Sequence, residues 1–232
     1  MQNLLAQLPR WVEFGAFILA MVAGYVNVVG LLGFEHQSVS HLSGTATLFG
    51  ASLINAPLNK SLILFGVLIS FLIGSVISGW LLHAPTLKLG RHYDTALVIE
   101  FGLLIITAYL LTHGKPYGHF FASAACGLQN AMATTYSNAI IRTTHITGIF
   151  TDLGIMFGSF LRGEPLDSRK LKLFICIILG FILGGVLGAV MYAQFDYRSL
   201  YVPALSCLVL AMSYKIYNLK RDRENDKEVR KK

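Results

Sequence analysis

Residues 171–192 read "LKLFICIILGFILGGVLGAVMY". The run carries one charge, Lys172, next to its start. It is long enough for a transmembrane helix, which needs about 20 apolar residues. A strand does not fit, because the run is continuous rather than alternating and a barrel strand needs only about 10 residues. In lipid a helix satisfies all its backbone groups by itself. Glycine recurs at every fourth position, Gly180, Gly184 and Gly188. Residues 62–82 carry a similar stripe of Gly66, Ser70, Gly74 and Ser78. Such stripes let a neighbouring backbone come close, either in the same chain or in another subunit.

Outward from this run the chain stays apolar. Of its 232 residues, 54% are hydrophobic and 13% charged, against about 25% charged in a soluble domain. A single all-α polytopic membrane domain over 1–232 is expected, with the lipid bilayer as its main partner. Eight apolar segments can be drawn: 12–34, 42–56, 62–82, 95–111, 120–141, 146–161, 171–192 and 200–217. The first follows Arg10 and is too long for the core of a signal peptide, so we expect it to be retained. Cys126, Cys176 and Cys207 lie within apolar runs and form neither a metal pattern nor a disulfide framework.

The net charge is +7, and residues 215–232 hold eight Lys/Arg against four Asp/Glu. Directly after an apolar segment, residues 218–232 read as a basic cytoplasmic tail rather than a nucleic-acid site. If all eight segments cross, the N-terminus is also inside. Inside loops then hold Arg10, Lys60, Lys115, Arg162, Arg169, Lys170 and Lys172, and outside loops hold Lys88, Arg91, Arg142 and Arg198. If one short segment is re-entrant, the N-terminus moves outside.

Two polar interruptions share one pattern. Residues 38–50 read "SVSHLSGTATLFG" and residues 142–154 read "RTTHITGIFTDLG". Each holds a Ser/Thr-His-x-Ser/Thr-Gly core with a further Gly six residues on: Ser40, His41, Ser43, Gly44 and Gly50, then Thr144, His145, Thr147, Gly148 and Gly154. Upstream, "GYVNVVG" lies over "GLQNAMA" and sets Asn27 on Asn130. The chain therefore reads as an internal repeat, 12–111 and 117–217. An even number of crossings per half makes the halves parallel, and an odd number makes them inverted. The segments that follow the motifs are short for a crossing, and paired short helices point to a transporter's binding site. Ser40 and Thr144 read as N-caps.

These two stretches, "GYVNVVGLLGFEHQSVSHLSGTATLFG" and "GLQNAMATTYSNAIIRTTHITGIFTDLG", resemble the YoaK family of bacterial membrane proteins, a domain of unknown function. Where that family often has an acidic residue and an Asn, this chain has Asn27 and Thr45. The resemblance implies a multi-pass protein of the bacterial plasma membrane. It supplies no substrate.

The candidate substrate-binding residues are Asn27, Ser40, His41, Ser43, Gly44, Gln129, Asn130, Arg142, Thr144, His145, Thr147 and Gly148. Ionisable groups within a membrane are costly, which makes His145, Asp152 and Glu100 candidates for proton coupling. Asp152 shares a helix face with His145 and would otherwise pair with Arg142 or Arg162. The polar 120–141 segment, with Gln129, Asn130, Thr134, Thr135, Ser137 and Asn138, either lines a wet cavity, the reading we favour, or bonds its neighbours. No Walker-type loop and no HExxH motif occurs, so no enzyme and no cofactor is expected. Nothing in the spacing of His41, His145 and Asp152 demands a metal. A small secondary transporter for a small polar or anionic solute is the leading expectation, and it is compatible with a homo-oligomer. A passive channel and a structural or metal-binding membrane protein stand as alternatives.

Overall fold

The computed structural model describes residues 11–33, 39–82, 92–136 and 143–229. These residues are helical, with short connections. The helices are α1 (Trp11–Gly33), α2 (Leu42–Asn55), α3 (Leu58–Leu81), α4 (Tyr93–Thr112), α5 (Gly118–Tyr136), α6 (Ile146–Leu161), α7 (Ser168–Phe195) and α8 (Tyr201–Val229). A 3-10 turn, Asp196–Leu200, joins α7 to α8 without a non-helical residue. Counted as unbroken runs among the described residues there are therefore seven helical bodies, not the expected eight.

Four stretches are apolar and long enough to cross a membrane: Glu13–Gly33, Leu58–Leu81, Tyr93–Thr112 and the 52-residue run Ser168–Leu219. The protein is a multi-pass membrane protein. Asp196, with φ 49°, carries the turn inside the last run. At the start of that run, the Asp167 carboxylate accepts from the Arg169 and Lys170 amides and caps α7.

Two pairs of long helices pack most closely, α1 with α7 and α3 with α5. Glycine stripes make both contacts possible. A Cβ at Gly184 would run into the Met21 carbonyl, and one at Gly24 into the Phe181 carbonyl. A Cβ at Gly74 would run into the Ala124 carbonyl, and one at Gly127 into the Phe71 carbonyl. Gly180 and Gly188 face Phe17 and Tyr25 in the same way. The stripe on α7 is thus filled by α1 of the same chain and is not left open for a second subunit. Ser75, on α3, adds a hydrogen bond from Oγ to the Gly127 carbonyl (3.1 Å).

The core forms two clusters. Ala16, Ala20, Leu97, Leu128, Met132 and Phe174 lie in one. Val22, Val26, Val29, Leu104, Ala125 and Ala204 lie in the other. α5 sits among α1, α3 and α4, and its residues 122–129 are all buried.

Candidate functional site

The two motifs are built alike. α2 begins directly after His41 and α6 directly after His145. Each histidine is the N-cap residue, with φ/ψ of −92°/73° and −93°/56°, and neither side chain caps the helix. Ser40 and Thr144 therefore stand one residue before the cap, not at it as expected. Their hydroxyls turn elsewhere. Ser40 Oγ donates to Asn27 Oδ1 (2.6 Å) and Thr144 Oγ1 to Asn130 Oδ1 (3.1 Å). Asn27 and Asn130 each lie six residues before the end of a long helix, α1 or α5. Each motif is so tied to a point about 9 Å inside that end, at 1.5 Å per residue.

The parallel continues along the short helices. Thr47 Oγ1 donates to the Ser43 carbonyl (2.9 Å) and Thr151 Oγ1 to the Thr147 carbonyl (3.0 Å). Thr45 and Ser52 are the buried positions of α2, Ile149 and Leu153 those of α6. The exposed faces carry His41, Ser43 and Gly44 on one helix, His145, Thr147 and Asp152 on the other.

The structure brings Asn27 to Ser40 and Asn130 to Thr144, but it does not pack α2 against α6. Among the described residues α2 lies on α3, and α6 on α7. Arg142 lies outside the described residues. Arg162 pairs with Glu164 (3.0 Å) rather than with Asp152. Gln129 Nε2 donates to the Leu19 carbonyl, and Ser123 Oγ donates to the carbonyls of Val67 (2.9 Å) and Val39 (3.3 Å). Gln129 and Ser123 therefore bond neighbouring segments, while Thr134 Oγ1 donates to the Asn130 carbonyl of its own helix (2.7 Å), and Ser137 and Asn138 lie outside the described residues.

Glu100, on α4, is 1% exposed. Its carboxyl lies beside Cys207 of α8, and its Oε2 has no hydrogen-bond partner among the described residues. Thr143 Oγ1, just before the second motif, is likewise buried without a partner among the described residues. In the sequence Thr143 reads as one more hydroxyl. A crevice of about 870 Å³ lies between α1, α4, α5 and α8, lined by apolar side chains such as Phe14, Leu97, Met132 and Val209. None of the described candidate residues lines it. Among the described residues no three His, Cys, Asp or Glu side chains gather as a metal site.

A family model described as "protein of unknown function (DUF1275)" matches residues 15–213, which include both motifs and their asparagines. The chain belongs to the DUF1275 family. This agrees with the YoaK resemblance of the two motifs. Membership in DUF1275 gives no substrate or reaction. No curated protein and no solved structure matches the chain.

The two motif glycines sit differently. A Cβ at Gly148 would collide with the His145 ring, whereas one at Gly44 would meet nothing within 4 Å. Gly148→Ala is expected to swing the His145 ring away from its present place with little cost in stability, because a side chain and not a backbone must give. Gly44→Ala is expected to be silent. Thermal unfolding of the two purified variants, with the ring followed by histidine NMR, checks the pair.

Proposed function

We propose that the chain is a small secondary transporter of a small polar or anionic solute. The observation that carries this reading is the matched pair of short helices, each begun at a histidine and each pinned by a hydroxyl to an asparagine inside a long helix. Broken helices in corresponding places of two halves are how transporters expose backbone N–H groups to a solute within the membrane. Asn27 with Ser40 and His41, and Asn130 with Thr144 and His145, are the proposed contacts. Glu100 is the proposed proton carrier, because a lone carboxyl this deep is costly and calls for a use. The repeat of 12–111 in 117–217 is part of the proposal. The paired caps, the paired threonine back-bonds and the paired glycine contacts support it. So are a place in the bacterial plasma membrane and a cytoplasmic C-terminus, supported by the basic tail.

Flux into proteoliposomes across a panel of labelled organic anions, amino acids and sugars tests the reading. Uptake that rises with an imposed proton gradient is the expected result. Uptake indifferent to the gradient would select a passive facilitator. A second reading, a structural membrane protein, draws on Thr47 and Thr151, whose hydroxyls bond their own helices. Absence of flux across the panel favours it.

A further inference from the structure

The geometry points to six full crossings, with the two motif segments re-entering the membrane from opposite faces. Helix directions carry this. α1 and α7 run the same way: Glu13 meets Arg169 near their starts (3.7 Å), Met21 meets Gly184 midway, and the Gly33 carbonyl accepts from Tyr197 Oη beyond their ends (2.6 Å). α3 and α5 also run the same way, through Gly66 with Phe120, Val67 with Ser123 and Ser75 with Gly127. α4 and α8 run oppositely. Tyr93, at the start of α4, packs on Tyr214 (ring centroids 6.2 Å apart), Glu100 lies beside Cys207, and Leu111 shares a cluster with Leu200. α1 and α8 run oppositely too, since Tyr25 Oη donates to the Ser199 carbonyl (2.9 Å) at the foot of α8 while Phe14 shares a crevice with Tyr217. α4 and α5 are joined by a tight turn and reverse.

These relations leave one arrangement. α1, α4 and α7 point one way, and α3, α5 and α8 point the other. The chain between α1 and α3 must then start and end on one face, and the chain between α5 and α7 on the opposite face. Neither α2 nor α6 crosses. Their lengths agree, because 14 and 16 residues make about 21 and 24 Å of helix against a core of about 30 Å. The hydrogen bonds to Asn27 and Asn130 show how each segment returns to a depth of about 9 Å before its helix begins. α1 and α5, the repeat-equivalent first helices, are antiparallel: Ala16 and Ala20 cluster with Met132 and Ala133, Val26 and Val29 with Ala122 and Ala125. With three crossings each, the halves are inverted.

Charge agrees independently. By the helices they connect or begin, Arg10, Lys88, Arg91, Arg142, Arg162, Arg169, Lys170 and Lys172 fall on the face of the basic tail, and only Lys60, Lys115 and Arg198 on the other. Eight crossings give a weaker bias of seven to four outside the tail. The consequence for the site is that Asn27, Ser40 and His41 are approached from one face, and Asn130, Thr144 and His145 from the other. The arrangement does not depend on a solute being carried.

Single cysteines at Asn59, Lys115, Glu164 and Arg198 separate the two topologies. All four residues are exposed. Each variant is labelled with a membrane-impermeant maleimide in intact cells and again in detergent, with the unsubstituted chain as baseline. Six crossings put Asn59→Cys, Lys115→Cys and Arg198→Cys on one face and Glu164→Cys on the other. Eight crossings put Asn59→Cys, Lys115→Cys and Glu164→Cys together, opposite Arg198→Cys, and that pattern overturns the inference. A split between Asn59→Cys and Lys115→Cys overturns it too, because both mark the same end of the parallel pair α3 and α5. Labelling reads topology alone, so failure of the transport reading would leave its outcome unchanged.

Discussion

Gly184→Leu is expected to remove the folded protein from detergent extracts, and Gly74→Leu to do the same. At both places the new Cβ meets backbone, the Met21 carbonyl in one case and the Ala124 carbonyl in the other. Backbone cannot turn aside as a rotamer can, so the helices must separate. A separation strips contacts along a whole helix pair, and it leaves no hydrophobic gain to compensate, because lipid is as apolar as leucine. Overpacking alone costs about 1–3 kcal/mol, and prising apart two main-chain surfaces lies at or above the top of that range. Gly185→Ala is the matched control, since its Cβ would come no nearer than 4.0 Å to the Gly24 carbonyl. It is expected to stay within about 0.5 kcal/mol of the parent. Size-exclusion profiles and melting temperatures of the three variants check this. A monodisperse Gly184→Leu protein with an unchanged melting temperature would falsify the assigned contact.

Glu100→Lys is expected to be as damaging, and Glu100→Gln to fold normally. The carboxyl is enclosed by α4 and α8, with one oxygen unpartnered, and an ammonium there has no acceptor charge to meet it. An unpaired charge buried among apolar side chains is among the few single changes that exceed about 4 kcal/mol. Glutamine keeps the shape and offers a neutral amide in place of the acid. Glu100→Leu should also fold, since apolar replacement of a buried ionisable group is often neutral or stabilising. The functional expectation is separate. If Glu100 carries the coupled proton, Glu100→Gln loses gradient-driven uptake by about 100-fold, the scale of a removed proton-transfer group, and retains solute exchange down its own gradient. Intact gradient-driven uptake in Glu100→Gln would remove Glu100 from the coupling role and leave His145 and Asp152.

Much of the fold was legible in the residues, for reasons that differ by element. Ile146–Leu161 matches its apolar segment at both ends, because a polar motif starts it and "RGEP" stops it. α1, α3, α4 and α7 were plain from their apolarity. The join of α7 to α8 was not, because "DYRSL" has the composition of a loop while folding as a 3-10 turn. The run of α8 to Val229 was hidden for the opposite reason, since a helix leaving the membrane loses the apolar signal that marked it. At the site, the link from motif to asparagine was visible only as a coincidence of spacing. Ser40 and Thr144 looked like caps because hydroxyls before a helix usually are, yet Asn27 and Asn130 provide competing acceptors that no local rule reveals. Helix direction leaves only a faint trace in loop charge, and the glycine contacts and paired hydrogen bonds supply it.

The union of α1 with α7 also sets a timetable. Met21 waits for Gly184, and Gly24 for Phe181, partners made some 160 residues later. At about 5–20 residues per second of synthesis, the first helix spends roughly 8–30 s in the membrane before its mate exists. α3 waits a much shorter time for α5. Until α7 is made, α1 has the α5 contact through Leu19 and Gln129 but not its longest one. A chain stopped after α6 would leave the α1 surface at Met21 and Gly24 without the helix that covers it.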